Sequence, residues 1–192
     1  AEALRVSYER IRLAQEAFGG GIWDWNLKDG TLQWDSHLFS LFGLDPGKVS
    51  ASFSTWESLL HPDDKQIAHE RINHALDHYR TMDSTYRIIR PDGQIRWINA
   101  IGHGFYDNEG NPFRMTGICI DITERKQNEE ALRQSEERFR TVLDTSRDVI
   151  YRFNLRTGRY EYISPAAREV TGYTIDELMA LSLDETLRMI HP

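Results

Sequence analysis

The chain repeats itself. Glu2-Ala-Leu-Arg5, Ser7, Glu9-Arg10 and Arg12 return as Glu130-Ala-Leu-Arg133, Ser135, Glu137-Arg138 and Arg140, each 128 positions on. At the same offset Ile22, Asn26-Leu27 and Gly30 return as Ile150, Asn154-Leu155 and Gly158. With two residues inserted, Leu60-His-Pro62 returns as Ile190-His-Pro192. A fixed long offset of this kind means two copies of one folding unit in tandem. The second copy reaches only the point where the first starts its long helix, so it holds two strands and a few short helices. Two strands with open edges do not complete a stable sheet. The segment after Asp144 is therefore expected to be loosely packed, to borrow a partner, or to belong to a longer native chain.

Bulk properties narrow the class. A length of 192 residues is enough for one domain and part of a second. With 40% hydrophobic and 11% aromatic residues a packed core is feasible, and wholesale disorder is not expected. The net charge of −7, with no Lys/Arg cluster interleaved with aromatics, argues against a nucleic-acid-binding surface. No apolar run approaches the roughly 20 residues of a membrane span, and no signal peptide is visible. Cys119 is the single cysteine, which excludes an internal disulfide framework and a Cys-rich zinc site. A reducing cytoplasm is the expected setting, and an anchor elsewhere in a longer parent is compatible with it.

Taken in order, residues 1–18 read as an amphipathic helix, with Leu4, Ile11 and Phe18 one heptad apart and Ser7 and Ala14 on the same side. Gly19-Gly-Gly21 ends it. Two short strands follow around a Lys28-Asp-Gly30 turn, with Trp23 and Trp25 alternating on the first and Leu32 and Trp34 on the second. Ser36 is placed to cap a helical piece that Gly43 stops, and Ser54 or Thr55 to cap Trp56 to Leu60. His61-Pro-Asp-Asp64 opens the longest helix of the unit, Asp63 to about Tyr79, with its carboxylates where the helix dipole favours them. Three strands, roughly 84–90, 94–106 and 113–120, are joined by turns at Pro91-Asp-Gly93 and Asn108-Glu-Gly110 and should form an antiparallel meander.

The last of these strands runs with almost no slack into Asp121-Ile-Thr-Glu-Arg125, where Thr123 or Asp121 can cap a solvated helix reaching Leu143. Glu129–Arg133 and Glu136–Arg140 have the favourable acid-before-base spacing, and Leu132, Phe139 and Val142 form a thin apolar line. That helix reads either as a solvated connector or as one strand of a weak parallel coiled coil in a homodimer, with residues 1–18 as the incoming half of the same relay.

These pieces together resemble the PAS domains of bacterial signalling proteins, in the subgroup that carries a C-terminal PAC exit motif. The match lies in Trp23-Asp-Trp25 with Gly30, Gly43, His61-Pro-Asp-Asp64, Pro91-Asp-Gly93 with Arg96-Trp97, Gly117, and Asp121-Ile-Thr-Glu-Arg125. It covers nearly all of residues 18–126 and the first half of the second copy. The resemblance implies an α+β fold: a five-stranded antiparallel sheet of order 2-1-5-4-3, helices on one face, and a cavity between. It also implies that the exit motif, through Asp121, Thr123 and Arg125, couples the sheet to a signalling helix, with Asp121 and Arg125 as the polar pair. The domain limits it implies are 1–18 for the N-terminal helix, 19–122 for the first PAS domain, 123–144 for the linker helix and 145–192 for the half copy.

In that family the sheet face towards the helices lines the ligand site. Projected by alternation, it carries Trp23, Trp25, Tyr86, Ile88, Trp97, Asn99, Ile101, Met115 and Cys119. These side chains fill a dry core, or surround a flavin that Asn99 hydrogen-bonds, or hold a small metabolite. A buried amide at Asn99 needs a partner in any of these. The photochemical flavin subgroup needs an asparagine-cysteine-arginine motif on a helix, which is absent; Cys119 falls on a strand. Haem needs an imidazole from the long helix, which carries His69, His74 and His78; His74 and His78, four apart, lack a third metal ligand.

His61, Asp63 and Asp64 are the one dense polar cluster, and helix capping accounts for it, so no catalytic set is expected. The function implied is a sensory and signal-relay module, not an enzyme, of a two-component kinase or cyclic-dinucleotide enzyme type, with its output domain further along the parent chain. A dimerisation scaffold with a dry core is the alternative.

Overall fold

A computed structural model describes residues 19–181 and 185. The expected helix over 1–18 and the repeated Ile190-His-Pro192 lie outside the described residues. The chain divides into two compact units, Ala1–Gln127 and Asn128–Pro192.

The first unit is α+β. Strands β1 (Gly20–Asn26), β2 (Leu32–Trp34), β3 (Met82–Ile89), β4 (Ile95–Tyr106) and β5 (Pro112–Asp121) form one antiparallel sheet of order β2-β1-β5-β4-β3. Helices α1 (Ser36–Phe42), α2 (Phe53–Leu59) and α3 (Lys65–Asp77) connect β2 to β3. The core lies between them and one face of the sheet, where Leu38, Phe42, Leu60, Ile88, Ile98 and Met115 are almost wholly buried.

Local chemistry sets the helix starts, and it shifts two of the expected caps. Asp35, not Ser36, caps α1 by accepting from Leu38 N at 2.8 Å. Ser52, not Ser54 or Thr55, caps α2 by accepting from Thr55 N at 3.0 Å. In each case the capping side chain sits in extended backbone just before the first turn, as cap geometry requires. The expected start of α3 at Asp63 is instead a 3-10 turn, Pro62–Asp64, with α3 beginning at Lys65. Ala68 and Ala75 form its buried stripe, and Ile67 is 49% exposed. Tyr106 closes the helix by donating its hydroxyl to Leu76 O at 3.0 Å.

Helix α4 (Thr123–Thr145) leaves β5 after a single intervening residue, Ile122, which is buried. The second unit adds β6 (Tyr151–Asn154), β7 (Arg159–Ile163), α5 (Ala166–Thr171) and α6 (Ile175–Ala180). Its hairpin repeats the turn of the first. Gly30 N donates to Asn26 O at 2.9 Å, as Gly158 N does to Asn154 O at 2.8 Å. Asn26 Oδ1 accepts from Lys28 N at 2.9 Å, as Asn154 Oδ1 does from Arg156 N at 2.9 Å. This unit buries a small core of Ile163, Ala167 and Leu178 beneath Val149, Tyr160 and Ile175. Its sheet has two strands among the described residues, and Tyr151 on β6 and Leu155 in the turn after it are exposed.

Candidate functional site: an aromatic cavity and the exit from the sheet

The strands bring Trp23 and Trp25 from β1, Tyr86 from β3, and Met115 and Cys119 from β5 around one cavity of about 50 Å³. Ile88 faces the same side but is packed in the core, against Leu60 in an isolated bridge. Three of the expected lining residues are not there. Trp97, Asn99 and Ile101 lie on the opposite face of the sheet, and Ile98, Ala100 and Gly102 take the inner positions. The cause is register. Arg90 N donates to Gln94 O across the three-residue loop, so even-numbered residues of β3 pair with even-numbered residues of β4. Directly paired residues share a face. Once Tyr86 points inward, Ile98 must as well. Asn99 finds its partners outside, donating to Asp83 Oδ1 at 2.7 Å and to Thr85 Oγ1 at 3.3 Å.

The helices supply lining that strand alternation does not reveal. Phe53 and Trp56 on α2, and Trp34 at the end of β2, complete the wall. Trp25 stacks on Phe53 with ring centroids 4.9 Å apart and planes at 25°, and Phe53 meets Trp56 at 5.0 Å. Trp56 Nε1 donates to the Tyr86 hydroxyl at 3.1 Å, which lies 3.8 Å from Cys119 Sγ. Burial raises the Tyr86 phenol well above its usual range and pushes the Cys119 thiol up to about 12. Cys119 is thus a neutral thiol at physiological pH, without the thiolate that nucleophilic chemistry needs. Alkylation of the native chain by iodoacetamide is expected to run at least about a hundredfold slower than in urea, with mass spectrometry as the readout.

The α3 imidazoles do not enter the cavity. His69 lies over Phe53 and Trp56, with Nε2 3.0 Å from Glu57 Oε1. His74 and His78 stack on each other at 4.3 Å, exposed near the end of the helix. Among the described residues no group of three potential metal ligands exists.

The second feature is the exit from the sheet. Trp97 in β4 is gripped through its backbone: Trp97 N donates to Thr123 Oγ1 and Ile122 N donates to Trp97 O, both at 2.9 Å. Thr123 therefore spends its hydroxyl on β4, and it is Asp121 that turns back on the helix start, accepting from Thr123 N at 2.8 Å. Asp121 also lies 3.6 Å from Arg96 of β4, a partner the sequence reading missed because it depends on the β4–β5 register. Arg125 is exposed in the first turn of α4. Around the Trp97 ring stand Arg87 at 5.5 Å and Lys126 at 6.0 Å. Arg87 in turn is held by Asp64, which accepts from its backbone N at 2.7 Å and its Nε at 2.9 Å.

Because Trp97 is a partly exposed outer-face residue, its removal leaves no core cavity. Trp97→Ala is expected to cost about 1–2 kcal/mol by urea denaturation, against the 3–5 kcal/mol typical of a buried aromatic.

This arrangement agrees with what the chain is similar to. A model of the PAS fold matches residues 31–119, and a model of the PAS domain matches residues 137–192. The chain is 32% identical to a sensory box histidine kinase/response regulator of Burkholderia thailandensis, whose crystal structure it covers to 98% with 69% of its own length, at a TM-score of 0.61. It is 33% identical to the probable diguanylate cyclase DgcE of Escherichia coli, over 91% of this chain and 16% of that protein. It is 30% identical to the sensor protein FixL of Bradyrhizobium diazoefficiens, over 96% of this chain and 36% of that protein. The chain belongs to the PAS family and is a PAS-fold signalling module. It spans about a sixth to a third of the length of those two curated relatives. Among the described residues no helix is long and apolar enough to cross a membrane.

Proposed function

We propose that this segment receives a signal in the first PAS unit and passes it through α4 to an output domain of a larger cytoplasmic signalling protein, itself performing no catalysis. The observation that carries the reading is the double backbone bond at Trp97. It fixes the start of α4 to β4 through Ile122 and Thr123, so a shift of β4 or β5 is delivered to the first turn of the helix. A ligand or partner that favours one packing of the sheet then biases the helix by its differential affinity for the two packings. The cyclase and sensor names of the relatives support an output domain of kinase or cyclic-dinucleotide type. The parts of this relay are residues 1–18, 19–122, 123–144 and 145–192.

The α4 surface supports dimerisation. Leu132, Phe139 and Val142 are 62%, 66% and 62% exposed, spaced seven and three residues apart as in a coiled-coil seam. The light-scattering mass should then be near twice 22.4 kDa; a monomer at high concentration removes this part of the proposal.

The relay itself is tested by amide exchange on Thr123→Ala. Protection across β3, β4 and β5 should stay near that of the parent chain except at Trp97, whose amide loses its acceptor, while exchange in the first turns of α4 rises by about tenfold, the effect of losing one buried hydrogen bond. Unchanged protection in α4 would place the joint elsewhere.

A further inference from the structure

The outer face of the sheet carries a contact that the backbone joint at Ile122 and Thr123 does not use. Arg87 of β3 and Trp97 of β4 are direct partners in the ladder, so both project from the same face. The Arg87 guanidinium stands 5.5 Å from the centre of the Trp97 ring, and the Lys126 ammonium, from the first turn of α4, stands 6.0 Å from it. Both lie within the range over which an indole ring attracts a cation. One aromatic side chain thus meets cations from two separate elements.

The charges make this meeting conditional. Lys126 sits where the helix dipole disfavours a positive charge, because its backbone N makes the first bond of α4, to Ile122 O at 3.0 Å. The Trp97 ring offsets that penalty. Two like charges beside one ring also repel each other, and Asp64 lowers the repulsion by neutralising Arg87. It accepts from Arg87 N at 2.7 Å and from Arg87 Nε at 2.9 Å, whereas exposed Asp63 adds only a longer contact at 3.4 Å. Asp64 closes the 3-10 turn Pro62–Asp64 and immediately precedes α3. A displacement of that turn therefore changes the charge that Lys126 meets across the ring, without any strand having to move.

We propose that the Trp97 ring is the junction of a second input to α4: the turn at the head of α3 acts on the first turn of α4 through Asp64, Arg87 and Lys126, in parallel with the backbone joint. These three are positioning residues. The proposal rests on reading α4 as the output of the unit and names a regulation of it that bypasses the cavity.

The test is a double-mutant cycle on the whole chain, read by amide exchange at positions 126 and 127. Asp64→Asn should speed exchange there by about threefold beyond any rise it causes at the β5 amides, the worth of one cation–π contact. In a Lys126→Met background, which keeps the stem and removes the charge, the same substitution should add nothing beyond the β5 rise. In a Lys126→Arg background the threefold excess should return. An excess that survives Lys126→Met overturns the proposal, as does exchange at 126 and 127 that only follows β5.

Because Asp64→Asn also weakens the fold, the reciprocal effect is read without it. Lys126→Met should move the Arg87 Nε signal in ¹⁵N spectra, whereas Lys28→Met, which removes the cation over Phe113, should leave it in place. An Arg87 signal indifferent to Lys126→Met also overturns the proposal. A chain that shows the faster α4 exchange of Thr123→Ala but none of this coupling keeps the relay and loses the second input. Coupling without that exchange response keeps the second input and loses the backbone joint.

Discussion

Gly117→Ala is expected to unfold the first unit under conditions where the parent chain is fully folded. Gly117 lies in β5 directly opposite Trp23 of β1 and Gly102 of β4. The Trp23 ring packs across this cross-strand glycine pair. A Cβ on Gly117 would stand 2.1 Å from Ile101 O, 2.5 Å from Trp23 Cζ2 and 2.7 Å from Gly102 Cα. Two of these neighbours are backbone inside a hydrogen-bonded sheet, so relief requires β4 and β5 to separate. Overpacking usually costs about 1–3 kcal/mol when side chains can yield. Here the cost should exceed about 3 kcal/mol, a large share of the roughly 5–15 kcal/mol that holds a domain together. Gly104→Ala is the control, because its added carbon meets the ends of side chains, Tyr106 Oη at 2.8 Å and Leu76 Cδ2 at 3.0 Å. That variant should lose about 1 kcal/mol or less. Urea denaturation followed by near-ultraviolet circular dichroism separates the two. Equal midpoints would mean that Trp23 is not seated on the glycine pair.

The same glycine pair explains where sequence reading stopped. The order of elements, the exit from β5 into α4 and the repeated turn at Asn26 and Asn154 were legible because each depends on residues near one another in the chain. The phase of β4 was not. Trp97 and Ile101 are the larger apolar residues, and alternation taken alone assigns them to the core. The inner positions went instead to Ile98, Ala100 and Gly102, the last of which is small because Trp23 occupies the space above it. The loop held the missing information: three residues between Arg90 and Gln94, with Gly93 in the left-handed region at φ 82°, fix the parity of pairing. The contributions of Phe53 and Trp56 were illegible for a different reason. Helices of seven residues make barely two turns, too short for periodicity to say which side faces the sheet. The Thr123 bond to Trp97 required both the exit and the β4–β5 register, and only the first was available.

Asp64→Ala is expected to cost about 2–3 kcal/mol at neutral pH, the range for losing hydrogen bonds to a charged acceptor that is shielded from water. The Asp64 carboxylate is 14% exposed and takes both the backbone N–H and the guanidinium of Arg87. Beside it, His61 N donates to Arg87 O at 2.9 Å, so residues 60–64 cover the outer edge of β3 at Arg87 and Ile88. Without the carboxylate, the Arg87 N–H is left at a half-closed edge and the guanidinium over Trp97 keeps only the longer contact to Asp63 at 3.4 Å. The pH dependence follows from the same contacts. Hydrogen bonds from Arg87 hold the Asp64 carboxyl below its usual range, so the folded chain binds that proton more weakly than the unfolded one. The stabilisation is complete above the unfolded value of about 3.9 and is lost as pH falls through the folded value. Asp64→Asn, which cannot titrate, should therefore be clearly less stable than the parent at pH 6. The gap should narrow steadily in urea denaturations taken from pH 5 towards pH 3. A gap that stays constant over that range would mean that Asp64 holds the β3 edge by shape alone, and that Arg87, with the tryptophan it covers, is positioned by something other than this charge.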